Sequence, residues 1–178
     1  DSISPDWPPG AAIDREISNN CRVAPAELPG VVAVSATGVS TLASYSTFGM
    51  PVSVTAPGGD AGQTPSSVFG RGRILAGWSS TDATGLWEAL IPANRAVVSG
   101  GGRYVWISGT SMASPHAAGV AALLSDAFPN LSGSAIAAML RSSTSPMPCP
   151  ANDDRCVGGV GQNSFFGTGM VNAEDAVH

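Results

Sequence analysis

A serine set where a strand hands the chain into a helix is placed for nucleophilic attack, and Ser111 has that setting. Tyr104 to Ser108 reads as a strand, Gly109 and Thr110 as a tight turn, and Met112 to Phe128 as a helix that is apolar almost all the way round. Such a helix is expected to be buried. At its first turn the backbone N–H groups have no intrahelical acceptor and the helix dipole adds partial positive charge. An oxyanion forming beside Ser111 would therefore be stabilised by the serine's own N–H. Pro115 fits an early helical position, where a missing N–H costs little. A serine at a helix start is also a common cap, so position alone leaves both roles open.

A nucleophilic serine needs a base within hydrogen-bond reach and a third group to orient that base. The chain holds two histidines, His116 and His178. His116 follows Ser111 by five residues on one helix, which turns it about 140° away and carries it about 7.5 Å along the axis. His178 is the last residue. The order Ser111, then Asp153 or Asp154, then His178 formally satisfies an α/β-hydrolase esterase, and Gly109-Thr110-Ser111-Met112-Ala113 approximates its nucleophile elbow. Against that rival, Ala113 stands where the second elbow glycine belongs, no His-Gly-Gly loop precedes it, and the required histidine is the chain terminus.

The elements that must position Ser111 come from an ordinary globular composition. The 178 residues are 43% hydrophobic, enough for one sizeable core. The net charge is -5 and the sequence has no lysine, which leaves no basic footprint for nucleic acid. The longest apolar stretches, such as Ala117 to Leu124, fall well short of the ~20 residues a membrane span needs. Residues 1–30 read as a surface loop region, and the absence of Met or a signal pattern at Asp1 suggests an upstream portion. Val31 to Ser35 and Val52 to Thr55 read as buried strands of a parallel sheet. Residues 59–102 are polar and irregular, with islands at Val68–Phe69, Ile74–Leu75 and Leu86–Ile91. A helix is predicted over Ser132 to Ser143 with Ser132 or Ser134 as cap, and Phe165 to Val177 reads as a short strand and then a short helix. Cys149 and Cys156 bracket a loop that a disulfide could close, the alternative being two reduced, unrelated cysteines; Cys21 is left over.

The wording from Gly109 to Leu123 closely resembles the nucleophile motif of the subtilase family of serine proteases. The resemblance extends to Val31–Ala36, to Tyr45–Gly58 with its Ala-Pro-Gly ending, and to Phe166–Val177, all in the family's order. It implies a three-layer α/β domain with a mainly parallel sheet, of which residues 1–178 form the C-terminal portion. It further implies a serine endopeptidase in which Ser111 forms an acyl-enzyme, Thr110 supports the oxyanion hole and Met112 flanks the nucleophile as an oxidation-prone thioether. Val23, Ala24 and Pro25 would form one wall and the base of the pocket for the substrate's P1 side chain. In this family His116 is a structural residue, and the catalytic Asp, His and oxyanion Asn come from motifs ahead of this sequence. Asn19 and Asn20 are read as loop residues. The resemblance thus implies a partner, the upstream piece of the same protease, together with peptide or protein substrates, and favours a secreted or cell-surface protein, while the lysine-free, Ala/Gly/Arg-rich composition points to a bacterial source. Structural calcium is common in the family, but only Asp153–Asp154 are clustered here and they read as a solvated loop tip, so no cofactor or metal is expected. The competing reading from another class is a catalytically inert subtilase-like binding or structural fragment.

Overall fold

The computed structural model describes residues 22–64, 70, 72–81 and 91–178. Asn19, Asn20, Cys21, Val68, Phe69 and 86–90 lie outside the described residues. The chain divides into two compact units, Asp1–Val31 and Val32–His178. In the first, residues 22–30 run through turns, tied by Glu27 N–H to Val23 O at 2.9 Å and Leu28 N–H to Pro25 O at 3.0 Å.

The second unit is an α/β fold. Strands β1 (Val34–Thr37) and β2 (Val54–Pro57) pair in parallel, with Ala36 opposite Ala56. Both are buried, as their continuous apolar reading predicts, although each begins two or three residues later than the sequence suggests. Helix α1 (Thr110–Ala127) crosses this pair, and Ala113 packs with Ala36, Ala43 and Ala56 in one cluster. Four alanines at one crossing allow a close helix–sheet approach. Farther along α1, Val120 and Leu124 meet Leu140 of helix α2 (Gly133–Ser142) and Ala176 of helix α3 (Ala173–Val177). Ser132 caps α2 by accepting the Ala135 N–H, and Asn172 caps α3 by accepting from Glu174 and Asp175.

Two features differ from the sequence reading. Within 59–102, read as irregular, the chain forms strands β3 (Ile74–Trp78) and β4 (Ala96–Ser99). Strand β5 (Gly102–Ile107) lies between them, antiparallel to both, so the strand entering the Ser111 turn belongs to a separate antiparallel sheet. The connection explains the direction: Gly100 and Gly101 both have positive φ, the requirement of a two-residue hairpin turn that reverses the chain between β4 and β5. Parallel pairing is confined, among the described residues, to β1–β2 and a bridge from Thr55 to Met170.

Helix α1 is also one-sided rather than buried all round. Ala113, Ala117, Val120 and Leu124 form the inward stripe, at the i, i+4, i+7 and i+11 spacing of one helix face. Ala118, Gly119, Ala122 and Leu123 are exposed, Leu123 by 49%.

The last segment is held by polar bonds. Asn163 is fully buried, and its Oδ1 accepts the N–H groups of Phe165 and Phe166 while its Nδ2 donates to Met147 O at 2.8 Å. Ser35 Oγ donates to Phe165 O at 2.6 Å, stitching this loop to β1. A short hairpin, β6 (Gly158–Gly159) with β7 (Gln162–Asn163), precedes it. Cys149 and Cys156 form a disulfide closing the loop between them. Loop-closure entropy over a separation of 7 residues stabilises the fold by about 2 kcal/mol. The Cys149→Ser, Cys156→Ser double variant should therefore melt earlier than the oxidised protein, and added reductant should not lower its melting temperature further.

Candidate active site

Gly109 is the residue that fixes the turn before α1. Its N–H donates to Gly58 O at 3.0 Å, at the C-terminal end of β2, and its carbonyl accepts from Met112 at 3.0 Å and Ala113 at 3.3 Å. The turn thus joins β2 to the start of α1 through one residue. Thr110 is the first helical residue and Ser111 the second, and both are exposed. Helix geometry leaves the Ser111 N–H without an intrahelical acceptor, on the positive end of an 18-residue helix. A hydroxyl and a donor N–H on one exposed residue can attack a carbonyl and hold the charge that develops on its oxygen.

No described side chain hydrogen-bonds the Ser111 hydroxyl. His116 Nδ1 is engaged by Met112 O at 2.7 Å, a contact that assigns the proton to Nδ1. His116 is exposed, not enclosed as a fully buried helix would have it. His178 is the exposed C-cap of α3. Asp153, with Asp154 one of the two carboxylates that the hydrolase order allows, is committed to Arg155 through bonds of 2.8 and 2.6 Å. The Arg155 hydrogen bond holds the Asp153 carboxyl below the usual range. The described residues therefore place the Ser111 hydroxyl beside a first-turn N–H and bring no base to them. Val23, Ala24 and Pro25 belong to the first unit, where Val23 N–H donates to Glu27 Oε1 at 3.2 Å.

Three contributors to the surroundings of Ser111 were not singled out from sequence. An open, mainly apolar cavity of about 280 Å³ is lined by Ile74, Leu75, Ala76, Met112, Pro115 and His116, so β3 stands beside Met112, the residue that follows Ser111. Tyr45 reaches across to the end of β2, its hydroxyl donating to Gly59 O at 2.5 Å. Asp60, only 5% exposed, accepts from Ser44 N at 2.7 Å and Gly62 N at 2.8 Å. Tyr45 carries no signal in local pattern, since it acts on backbone distant in sequence; Asp60 bonds locally to Gly62, but its bond to Ser44 N has no local signal. Strand β3 had only its Ile74–Leu75 island.

Burial opposes ionisation of Asp60, but the N–H groups of Ser44 and Gly62 and the side chains of Ser44 and Gln63 outweigh it and lower its pKa. A carboxylate with a lowered folded-state pKa contributes stability above its unfolded value of about 3.9 and loses it as pH falls through the folded value. Asp60→Asn should cost about 1–3 kcal/mol near neutrality, because a buried donor loses its ionic acceptor. That difference from wild type should shrink as pH drops below about 4. Melting temperatures of both proteins from neutral to strongly acid pH check the convergence.

Among the described residues no group of three or more His, Cys, Asp or Glu lies together as metal ligands would. None of their helices is long and apolar enough to cross a membrane.

A family profile described as the subtilase family matches residues 16–169. An extracellular protease of Xanthomonas campestris pv. campestris is 32% identical over 93% of this chain and 22% of its own length. A thermostable alkaline protease of Halalkalibacterium halodurans is 28% identical over 84% of the chain and 28% of its length. Among solved structures, a protease of Pseudoalteromonas arctica superposes with a TM-score of 0.60 at 30% identity, covering 86% of this chain and 37% of that one. Fervidolysin of Fervidobacterium pennivorans, a keratinolytic enzyme related to subtilisin, gives 0.58 at 26% identity, covering 86% and 20%. The chain thus spans between about a fifth and three tenths of these curated relatives.

Proposed function

The chain belongs to the subtilase family, and from that premise we propose that it is the nucleophile-bearing portion of a serine endopeptidase. Ser111 attacks the peptide carbonyl and forms an acyl-enzyme, its N–H stabilises the oxyanion, Thr110 supports that hole and Met112 flanks it. The observation that carries the reading is the exposed serine at the head of α1, hydroxyl and first-turn N–H side by side, fixed by Gly109 to the end of β2.

The base, its orienting carboxylate and the oxyanion asparagine come from an upstream portion of the same protease. The bare outer face of α1 supports this: Leu123, set among the small residues Ala118, Gly119 and Ala122, makes an apolar surface of the kind that another part of the protein covers. Gly119 tests it. A Cβ there meets nothing within 4 Å, so on an uncovered helix Gly119→Ala is stabilising by about 1 kcal/mol. On a covered helix the added methyl must displace a neighbour. In the longer protein Gly119→Ala should lower the melting temperature, and a rise would show the face to be open.

Peptides and proteins are the substrate class. Secretion is part of this reading and is supported by relatives named as extracellular proteases of Xanthomonas campestris and Serratia marcescens. The deciding experiment treats the protein that carries this chain with a fluorophosphonate and maps the adduct by mass. Label on Ser111 with peptide hydrolysis supports the reading. A folded, unlabelled protein supports an inert subtilase-like module instead.

A further inference from the structure

We propose that Tyr45 is a positioning residue for the nucleophile turn, its hydroxyl holding the Gly58–Gly59 backbone against Gly109 so that Ser111 keeps its aim. The proposal rests on Ser111 being the nucleophile.

The contact is a clasp between two short segments. From one side Tyr45 Oη donates to Gly59 O at 2.5 Å; from the other, Asp60 Oδ2 takes the Ser44 N–H at 2.7 Å. Segments 44–45 and 59–60 are therefore bound reciprocally. Between them and Ser111 stands one link, the Gly109 N–H donating to Gly58 O at 3.0 Å. The packing is equally direct. A Cβ built on Gly58 would lie 2.8 Å from the Tyr45 hydroxyl and 2.8 Å from Gly109 O, so both oxygens flank the same Cα. Burial raises the phenol's pKa, the Gly109 backbone opposes that rise, and the charge of Asp60 adds to it. The hydroxyl therefore stays a donor at any neutral or mildly alkaline working pH.

The clasp orients more than it stabilises. Tyr45 is 41% exposed and a phenylalanine would keep its ring contacts, so removing the oxygen costs one part-exposed hydrogen bond. A nucleophile turn released to shift by a fraction of an ångström loses far more in rate, since a misplacement of about 1 Å can cost about 10²-fold.

Tyr45→Phe in the full-length protease tests this. The expected result is a kcat about tenfold lower with KM within about twofold of wild type. The rate of fluorophosphonate labelling should fall in parallel, with only a small change in melting temperature. Rates are referred to the concentration of titrated active sites, so unfolded protein does not count. Unchanged kcat per titrated site, with wild type active and labelled, overturns the role of Tyr45 and leaves Ser111 as nucleophile. A loss confined to the number of titratable sites shows a purely structural hydroxyl and also overturns it. Wild-type protein that neither hydrolyses nor takes label overturns the nucleophile and the positioning role together.

Discussion

Ser111→Ala removes fluorophosphonate labelling entirely and lowers kcat/KM by at least about 10³-fold, in the longer protein, with no matching loss of stability. The asymmetry follows from where the side chain stands. Ser111 is exposed and its hydroxyl caps nothing; the first-turn N–H groups of Met112 and Ala113 are satisfied by Gly109 O instead. Its removal should therefore stay within about 0.5 kcal/mol, the range of surface changes that break no special contact. A cap would behave otherwise, costing about 1 kcal/mol when replaced by alanine and leaving turnover alone. Ser132, whose hydroxyl accepts the Ala135 N–H, is the internal reference for that behaviour. His178→Ala is the second control. An α/β-hydrolase using His178 as base would lose activity with it, whereas the subtilase arrangement leaves hydrolysis unchanged. Thermal melts of the three variants beside their hydrolysis rates separate nucleophile from cap and one order of catalytic residues from the other.

What could be read without coordinates divides by the range of the interaction. The helix that carries Ser111 was legible because its signals are local: small residues at 113, 117 and 118, a proline near the start and a Pro-Asn stop at 129–130. The Ser132 cap was legible for the same reason. Strands β3 and β4 were not. Ala-Gly-Trp and Val-Val-Ser are too short and too mixed to declare themselves, and they become strands only by pairing with β5 on either side. The exposure of Ala122 and Leu123 was likewise hidden, because apolar composition reports that a helix wants cover, not which face the described residues supply. Tyr45 and Asp60 act across 14 and 16 residues on backbone that no periodicity points to. The helix that presents Ser111 was therefore legible in the sequence, and the contacts that moor its first turn were not.

That mooring makes Gly58→Ala a substitution that damages the fold and the turn before α1 at once. The new Cβ would lie 2.5 Å from Ala36 Cβ and 2.8 Å from both Gly109 O and the Tyr45 hydroxyl. None of the three can simply swing aside. Ala36 is fully buried in the alanine cluster under α1, Gly109 O holds the first turn of that helix, and the Tyr45 hydroxyl is bonded to Gly59 O. Relief must come both from separating β2 from β1, which frees the Ala36 contact, and from backing the Gly109 turn away from β2, which frees the Gly109 O contact. The cost is that of overpacking a tight core, about 3 kcal/mol or more, and a melting temperature lower by about 10 °C in a domain of this size. Gly100→Ala sets the scale for a purely conformational penalty. Gly100 has φ of +58° with nothing near its Cβ, so its substitution costs about 1–2 kcal/mol from the left-handed backbone alone. Activity separates the two further. At a temperature where both variants are folded, Gly100→Ala should hydrolyse peptide at the wild-type rate per titrated site, because its hairpin tip touches no part of the turn. Gly58→Ala should lose rate on every folded molecule, because relieving the clash stretches the Gly58–Gly109 bond that aims Ser111. Equal melting temperatures for the two variants would mean that the three close contacts relax without cost and that the turn is held by something other than the end of β2.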